Sequence, residues 1–173
     1  TYIGNKSDNL FYLVVNLTPQ QMTELTHLRQ TRKNFLTLVN SLTTEQLNHI
    51  PEGFNNNIIW NFGHSIITHQ LLCYNLSGNR MYTHKELVHK YRIGTKPEAP
   101  VSAEEIEKLK KMATELVTKF EADVNTEMFA EYKEYTTSYH VTLSNIEDAI
   151  KFNNVHEGLH LGYAMAIKRV IPS

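Results

Sequence analysis

Two histidines, His156 and His160, stand four residues apart in the run His156-Glu157-Gly158-Leu159-His160. On a helix that spacing puts both imidazoles on one face, about 5–6 Å apart. Neutral imidazoles so placed form a pincer for a divalent transition metal such as zinc, nickel or iron. A third imidazole and an open position would complete a catalytic metal site. There the ion lowers the pKa of a bound water toward neutrality, polarises a substrate, or ionises a bound thiol.

The run also fits H-E-x-x-H, a zinc-peptidase signature in which the Glu is the general base. Such enzymes normally draw their third ligand from further along the chain. Only Leu161 to Ser173 follow in this sequence, and none of them is His, Asp, Glu or Cys. The third ligand is therefore expected upstream, and a peptidase is disfavoured. Glu157 lies about 60° around the helix from His160. It reads three ways: as the catalytic base, as a group that orients a ligand, or as a salt-bridge partner. Asn153, one turn before His156 on the same face, is expected to orient a ligand or line a pocket.

The upstream partner is expected to be His64. It shares a helical face with Asn57, Trp60, Asn61, Ile67, Thr68 and Leu71. Gly63 beside it costs a helix interior about 1 kcal/mol relative to Ala; it either admits a close neighbour or is a tolerated imperfection. The other histidines are weaker candidates. His84 and His89 read as surface residues of a loop, and His27, His49 and His69 have no partner at ligand spacing. His140 lies in a Tyr/Thr-rich loop from which it could reach the site. The bland reading of any one of these rings is a structural histidine. A pair one turn apart on an apolar stripe is harder to explain that way, because an interior imidazole is costly unless bonded or ligating.

Four segments carry the helical signals that would position these rings. The first opens at Thr18-Pro19, a hydroxyl cap with Pro at the first helical position, and runs to about Leu42. Residues Leu10 to Leu17 before it read as an extra turn or an extended arm. The second starts at Asn56 or Asn57 and stops before Gly78; its apolar residues lie nearly all round, so it should be buried on several sides. The third opens on the capping box Ser102-Ala103-Glu104-Glu105, with Glu104/Lys108 and Glu107/Lys111 as pairs on a solvated face. The fourth opens on a second box, Ser144-Asn145-Ile146-Glu147, and runs to about Ile171 before Pro172. Its stripe of Ile146, Ala149, Ile150, Asn153, His156, His160, Ala164 and Ile167 places the histidine pair toward the core. Two long connections, 79–101 and 125–143, read as lids or edges of a site, the second with a β-like stretch from Tyr139 to Leu143. The expected fold is all-α, a four-helix bundle with two long connections, in a single domain over 1–173.

Composition narrows the function classes. The chain has 173 residues, 41% apolar and 20% charged, with a formal net charge of −1. That balance lacks the basic footprint of a nucleic-acid binder. The early apolar run Leu10 to Val15 is too short to span a bilayer, so no membrane partner is expected. A lone cysteine, Cys73, leaves no intramolecular disulfide and suits a reducing, cytoplasmic setting; it reads as a small buried residue. A chain that opens at Thr1 without Met is expected to be a trimmed product or an engineered piece.

Three pieces together carry a resemblance: Asn57-Ile58-Ile59-Trp60-Asn61-Phe62-Gly63-His64, the exit Leu76-Ser77-Gly78, and Val155-His156-Glu157-Gly158-Leu159-His160-Leu161-Gly162. In helix order and motif placement, from about residue 18 to 171, the chain resembles the DinB-like (DinB/YfiT-like) family. The resemblance implies a four-helix bundle whose three histidines, here His64, His156 and His160, hold one divalent metal (zinc, nickel or iron), and frequent homodimers. It implies a metal-dependent hydrolase or a low-molecular-weight-thiol S-transferase acting on a small molecule. The contrasting expectation is a non-catalytic metal-binding or stress-related dimeric bundle. No thiol-binding motif of the family is found in the sequence.

Overall fold

In a computed structural model, residues 17–172 are described, and the N-terminal reading of residues 10–16 lies outside them. In chain order the elements are α1 (Pro19–Asn40), α2 (Thr44–Asn48), α3 (Ile58–Gln70), a π-helical turn (Leu71–Asn75), α4 (Lys85–Tyr91), α5 (Ala103–Asp123), a 3-10 turn (Glu127–Phe129), β1 (Tyr135–Thr136), β2 (Thr142–Leu143) and α6 (Ile146–Val170). The long helices α1, α3, α5 and α6 make the expected all-α bundle, with α6 packed on both α1 and α3, and α5 on the same two helices. No helix among the described residues is long and apolar enough to cross a membrane.

Side-chain caps fix the helix starts. Thr18 and Gln21 close a capping box on α1, the Asn57 side chain accepts from the Trp60 N–H on α3, and Ser102 accepts from the Glu105 N–H on α5. On α6 the start lies one residue later than its second box implied. Asn145 is the cap and accepts from the Asp148 N–H, while the Ser144 N–H donates to the Asp148 carboxylate. The α5 charges also choose other partners than expected: Lys110 pairs with Glu107, Lys111 with Glu115, and Glu105 reaches across to Lys90 of α4. The first long connection is not all loop, since α4 occupies its centre. The second folds back as an antiparallel β1–β2 hairpin with Tyr135 opposite Leu143.

A buried polar layer divides the core in two. On α1, Leu25 and Leu28 belong to one apolar cluster and Phe35 and Val39 to another, with buried Arg32 between them. On α3 and its π turn the break falls at His69 and Gln70, between Ile67 and Leu72. On α6 it falls at Asn153 and Glu157, between Ile150 and Ala164. Arg32 and Glu157 are 3% and 0% exposed and form a two-pronged ion pair, Nε to Oε2 at 2.9 Å and Nη2 to Oε1. The Asn153 amide donates to Glu157 Oε1 at 3.0 Å. His69 sits edge-on to Phe120 with neither ring nitrogen bonded. Burial, helped by the charge of Arg32, pushes its pKa to about 3, so it stays neutral at physiological pH.

Breaking this ion pair from one side should be severe. Arg32→Met leaves Glu157 buried without a counter-ion and should cost about 3–5 kcal/mol in urea unfolding, whereas Arg32→Met with Glu157→Leu should recover most of that loss. A double variant no more stable than the single one would show that the pair is not the coupled unit described.

Candidate metal centre

His64 lies in the middle of α3, where almost every side chain is buried, and His156 and His160 occupy successive turns of α6. The three rings meet: their ring centroids are 4.4–5.0 Å apart, and one nitrogen from each lies within 4.8 Å of the others. His64 Nε2 and His156 Nε2 are 3.1 Å apart. Nitrogens that share one zinc ion at 2.0–2.1 Å lie roughly 3.3 Å from each other, so this spacing fits a common ion.

The outer nitrogens explain which atoms are left to ligate. His64 Nδ1 is 2.6 Å from the Tyr91 carbonyl and His160 Nδ1 is 2.8 Å from Asn61 Oδ1. Both partners are acceptors, so each Nδ1 carries its proton and donates it, which leaves the Nε2 lone pair facing the cluster. His156 Nδ1 is buried without a partner. Burial pushes the pKa of all three rings down, and the neighbouring imidazoles add to this for His156, at about 2, and His160, at about 3. Three neutral imidazoles that repel protons are the donor set a divalent cation takes.

The surroundings hold these rings from several helices. Trp60, one turn before His64, stacks on it with centroids 4.7 Å apart and planes 9° from parallel. Gly63 makes room for Tyr91: a Cβ there would stand 2.6 Å from the Tyr91 ring. Close approach is therefore the reason for this glycine. The Tyr91 hydroxyl in turn donates to Glu105 Oε1 of α5 at 2.6 Å. Tyr91 of α4 is thus held by α5 at its hydroxyl and meets the α3 imidazole with its backbone carbonyl.

A cavity of about 220 Å³ opens beside the cluster, with His64 and His156 among its lining residues. Both long connections contribute to its edge: Ile93 follows α4, and Tyr135, Thr137 and Ser138 come from the hairpin. The π turn supplies Leu71, Leu72 and Asn75; turns of this kind often occur at functional sites.

The remaining candidates lie elsewhere. His27, His49, His84 and His89 are exposed, and His140 is an exposed turn residue with φ 58° outside the histidine group. Cys73 is fully buried and burial pushes its thiol pKa far up, which makes it an inert core residue. Glu157 takes the salt-bridge role among its three readings, with both carboxylate oxygens engaged by Arg32 and one also by Asn153. Asn153 therefore serves Glu157, not a histidine. Sequence reasoning missed Arg32, the Tyr91 carbonyl and the role of Asn61. Only Arg32 left a signal, as a charge within the apolar spacing Leu25, Leu28, Phe35, Val39.

A model described as the DinB superfamily matches residues 27–164. Among solved structures, a crystal structure titled as a conserved protein of locus from Enterococcus faecalis aligns with a TM-score of 0.63 and 11% identity, covering 90% of this chain and 98% of that one. At that identity the likeness is one of fold. No curated protein matches the sequence.

If Asn61 orients His160, Asn61→Leu should weaken zinc binding by about 10–100-fold while Asn61→Asp, which keeps the acceptor, should lose far less. Competition against a chromophoric chelator measures both. Unchanged affinity in Asn61→Leu would remove Asn61 from the site.

Proposed function

The chain belongs to the DinB superfamily, and on that footing we propose that it is a metal-dependent enzyme, a hydrolase or low-molecular-weight-thiol transferase, whose His64, His156 and His160 hold one divalent transition metal. The observation that carries this reading is the 3.1 Å approach of the His64 and His156 Nε2 atoms, with the outer nitrogens of His64 and His160 committed to acceptors. When bound, such an ion supplies Lewis acidity, drawing electron density from a substrate oxygen or sulfur and lowering its pKa. Zinc, nickel and iron all suit an imidazole set.

The chain's own residues do the positioning. Tyr91 and Asn61 keep protons on the Nδ1 atoms, and Trp60 fixes the plane of the His64 ring. Leu71, Leu72, Leu76 and Phe152 wall the cavity and limit water around a bound small molecule. Glu157, for which a base is one of three readings from sequence, acts instead through its salt bridge, because its carboxylate already neutralises Arg32 and so sets the turn of α6 that carries both histidines. A homodimer and a cytoplasmic setting belong to the same reading. Exposed Val155, Leu159 and Met165, with open Gly158 and Gly162 between them, give α6 an apolar outer face for self-association. Sedimentation velocity should show a dimer at micromolar concentration, and a sharp monomer boundary would refute it.

A non-catalytic metal-binding bundle is the second reading. It is favoured by one observation: among the described residues no carboxylate lines the cavity to serve as a base.

His160→Ala should abolish stoichiometric metal uptake; full occupancy by elemental analysis would refute the ligand assignment. Chelation separates the two readings. A catalytic ion should leave most of the melting temperature intact on removal, while a purely structural one should take much of the folding free energy with it.

A further inference from the structure

Resting on the metal reading above, the geometry points to an uncharged, largely apolar tail on the molecule this site takes, with a single donor atom at the histidine end. His64 and His156 line the cavity, and Leu71, Leu72, Leu76, Ile93 and Phe152 supply its apolar side chains. Its polar side chains, apart from those two histidines, are Thr68, Asn75, Tyr135, Thr137 and Ser138, all neutral hydrogen-bonding groups. Among the described residues no Asp, Glu, Lys or Arg lines it. The groove between α1 and α5, of similar volume, is instead lined by Arg29, Arg32, Lys33 and Glu121. Charge is thus plentiful on the molecule and missing from this one cavity.

A carboxylate or ammonium brought into the cavity would shed its hydration shell and find no counter-ion, a penalty that apolar groups do not incur. Three neutral imidazoles and one thiolate leave a divalent ion with a single positive charge, which sits at the histidine end and neutralises no charge carried farther along the tail. At about 220 Å³ the space also falls below the roughly 300–1,000 Å³ typical of drug-sized ligands. A compact tail fits, such as one aromatic ring or a short alkyl chain, and a multiply charged peptide-like thiol does not.

The cobalt(II)-loaded chain, titrated with benzyl mercaptan and with its 4-carboxylate and 4-aminomethyl derivatives, whose para charges cannot reach the ion that holds the sulfur, reads this preference through the sulfur-to-cobalt charge-transfer band. After correction for thiol pKa, benzyl mercaptan should bind at least about tenfold more tightly than either charged thiol. Equal or tighter binding of a charged thiol overturns the inference. Ile93 lines the cavity and stands 57% exposed, so Ile93→Lys should leave the core intact and narrow the gap for the 4-carboxylate. An unchanged ratio puts the tail outside this cavity and also overturns it. Absence of cobalt d–d bands before any thiol is added would sink the metal reading instead. Toluene against benzoate on the metal-free chain, followed by shifts at Thr68 and Phe152, then decides the cavity's preference, and tighter benzoate binding overturns the inference.

Discussion

The ion pair between Arg32 of α1 and Glu157 of α6 is the constraint from which the histidine cluster follows. A helix lying on an apolar surface can turn or slide with little change in buried area, because hydrophobic contact is non-directional. A buried two-pronged pair admits one arrangement only. Glu157 directly follows His156 and precedes His160 by three residues, so fixing its carboxylate fixes the rotation at which both rings leave α6. Such a pair contributes little net stability, since desolvation offsets the attraction. Its contribution here is register.

The other long helices reach the cluster through their own contacts. α3 brings His64 and, one turn earlier, Asn61 for His160. α5 acts at a distance, through Glu105 on the Tyr91 hydroxyl and the Tyr91 carbonyl on His64. The hairpin and the segment after α4 close the cavity beside it. The polar layer that splits the core therefore does two jobs: it keys α1 to α6, and it separates the packing around α2 and α4 from that around the hairpin.

The four long helices and the His156/His160 pair could be read from the sequence because both rest on local spacing: apolar repeats of three and four, caps, and a pair one turn apart. His64, 92 residues from His156, follows only from its helical face, the absence of a ligand after His160, and the family resemblance. What the sequence hid was set by tertiary partners. Glu157 had three open roles until Arg32, 125 residues away, selected one. The Tyr91 carbonyl carries no residue-type signal, as every residue has one. α4 is seven residues long, too short for a periodicity to show. The one-residue shift at the start of α6 reflects two adjacent capable caps, Ser144 and Asn145, between which Asp148 decides.

The π turn at Leu71–Asn75 holds one residue more than a regular helical turn would, with the Leu76 N–H reaching back to the Leu71 carbonyl. Removing a single codon there would restore ordinary winding and swing every later side chain by about 100°. Asn75 and Leu76 would then turn from the hollow they now line, while His64, two turns before Leu71, would keep its place. Relatives that gain or lose this one residue would therefore change the shape of the chamber without touching the imidazoles, an inexpensive route by which a lineage can exchange ligands on an unaltered scaffold.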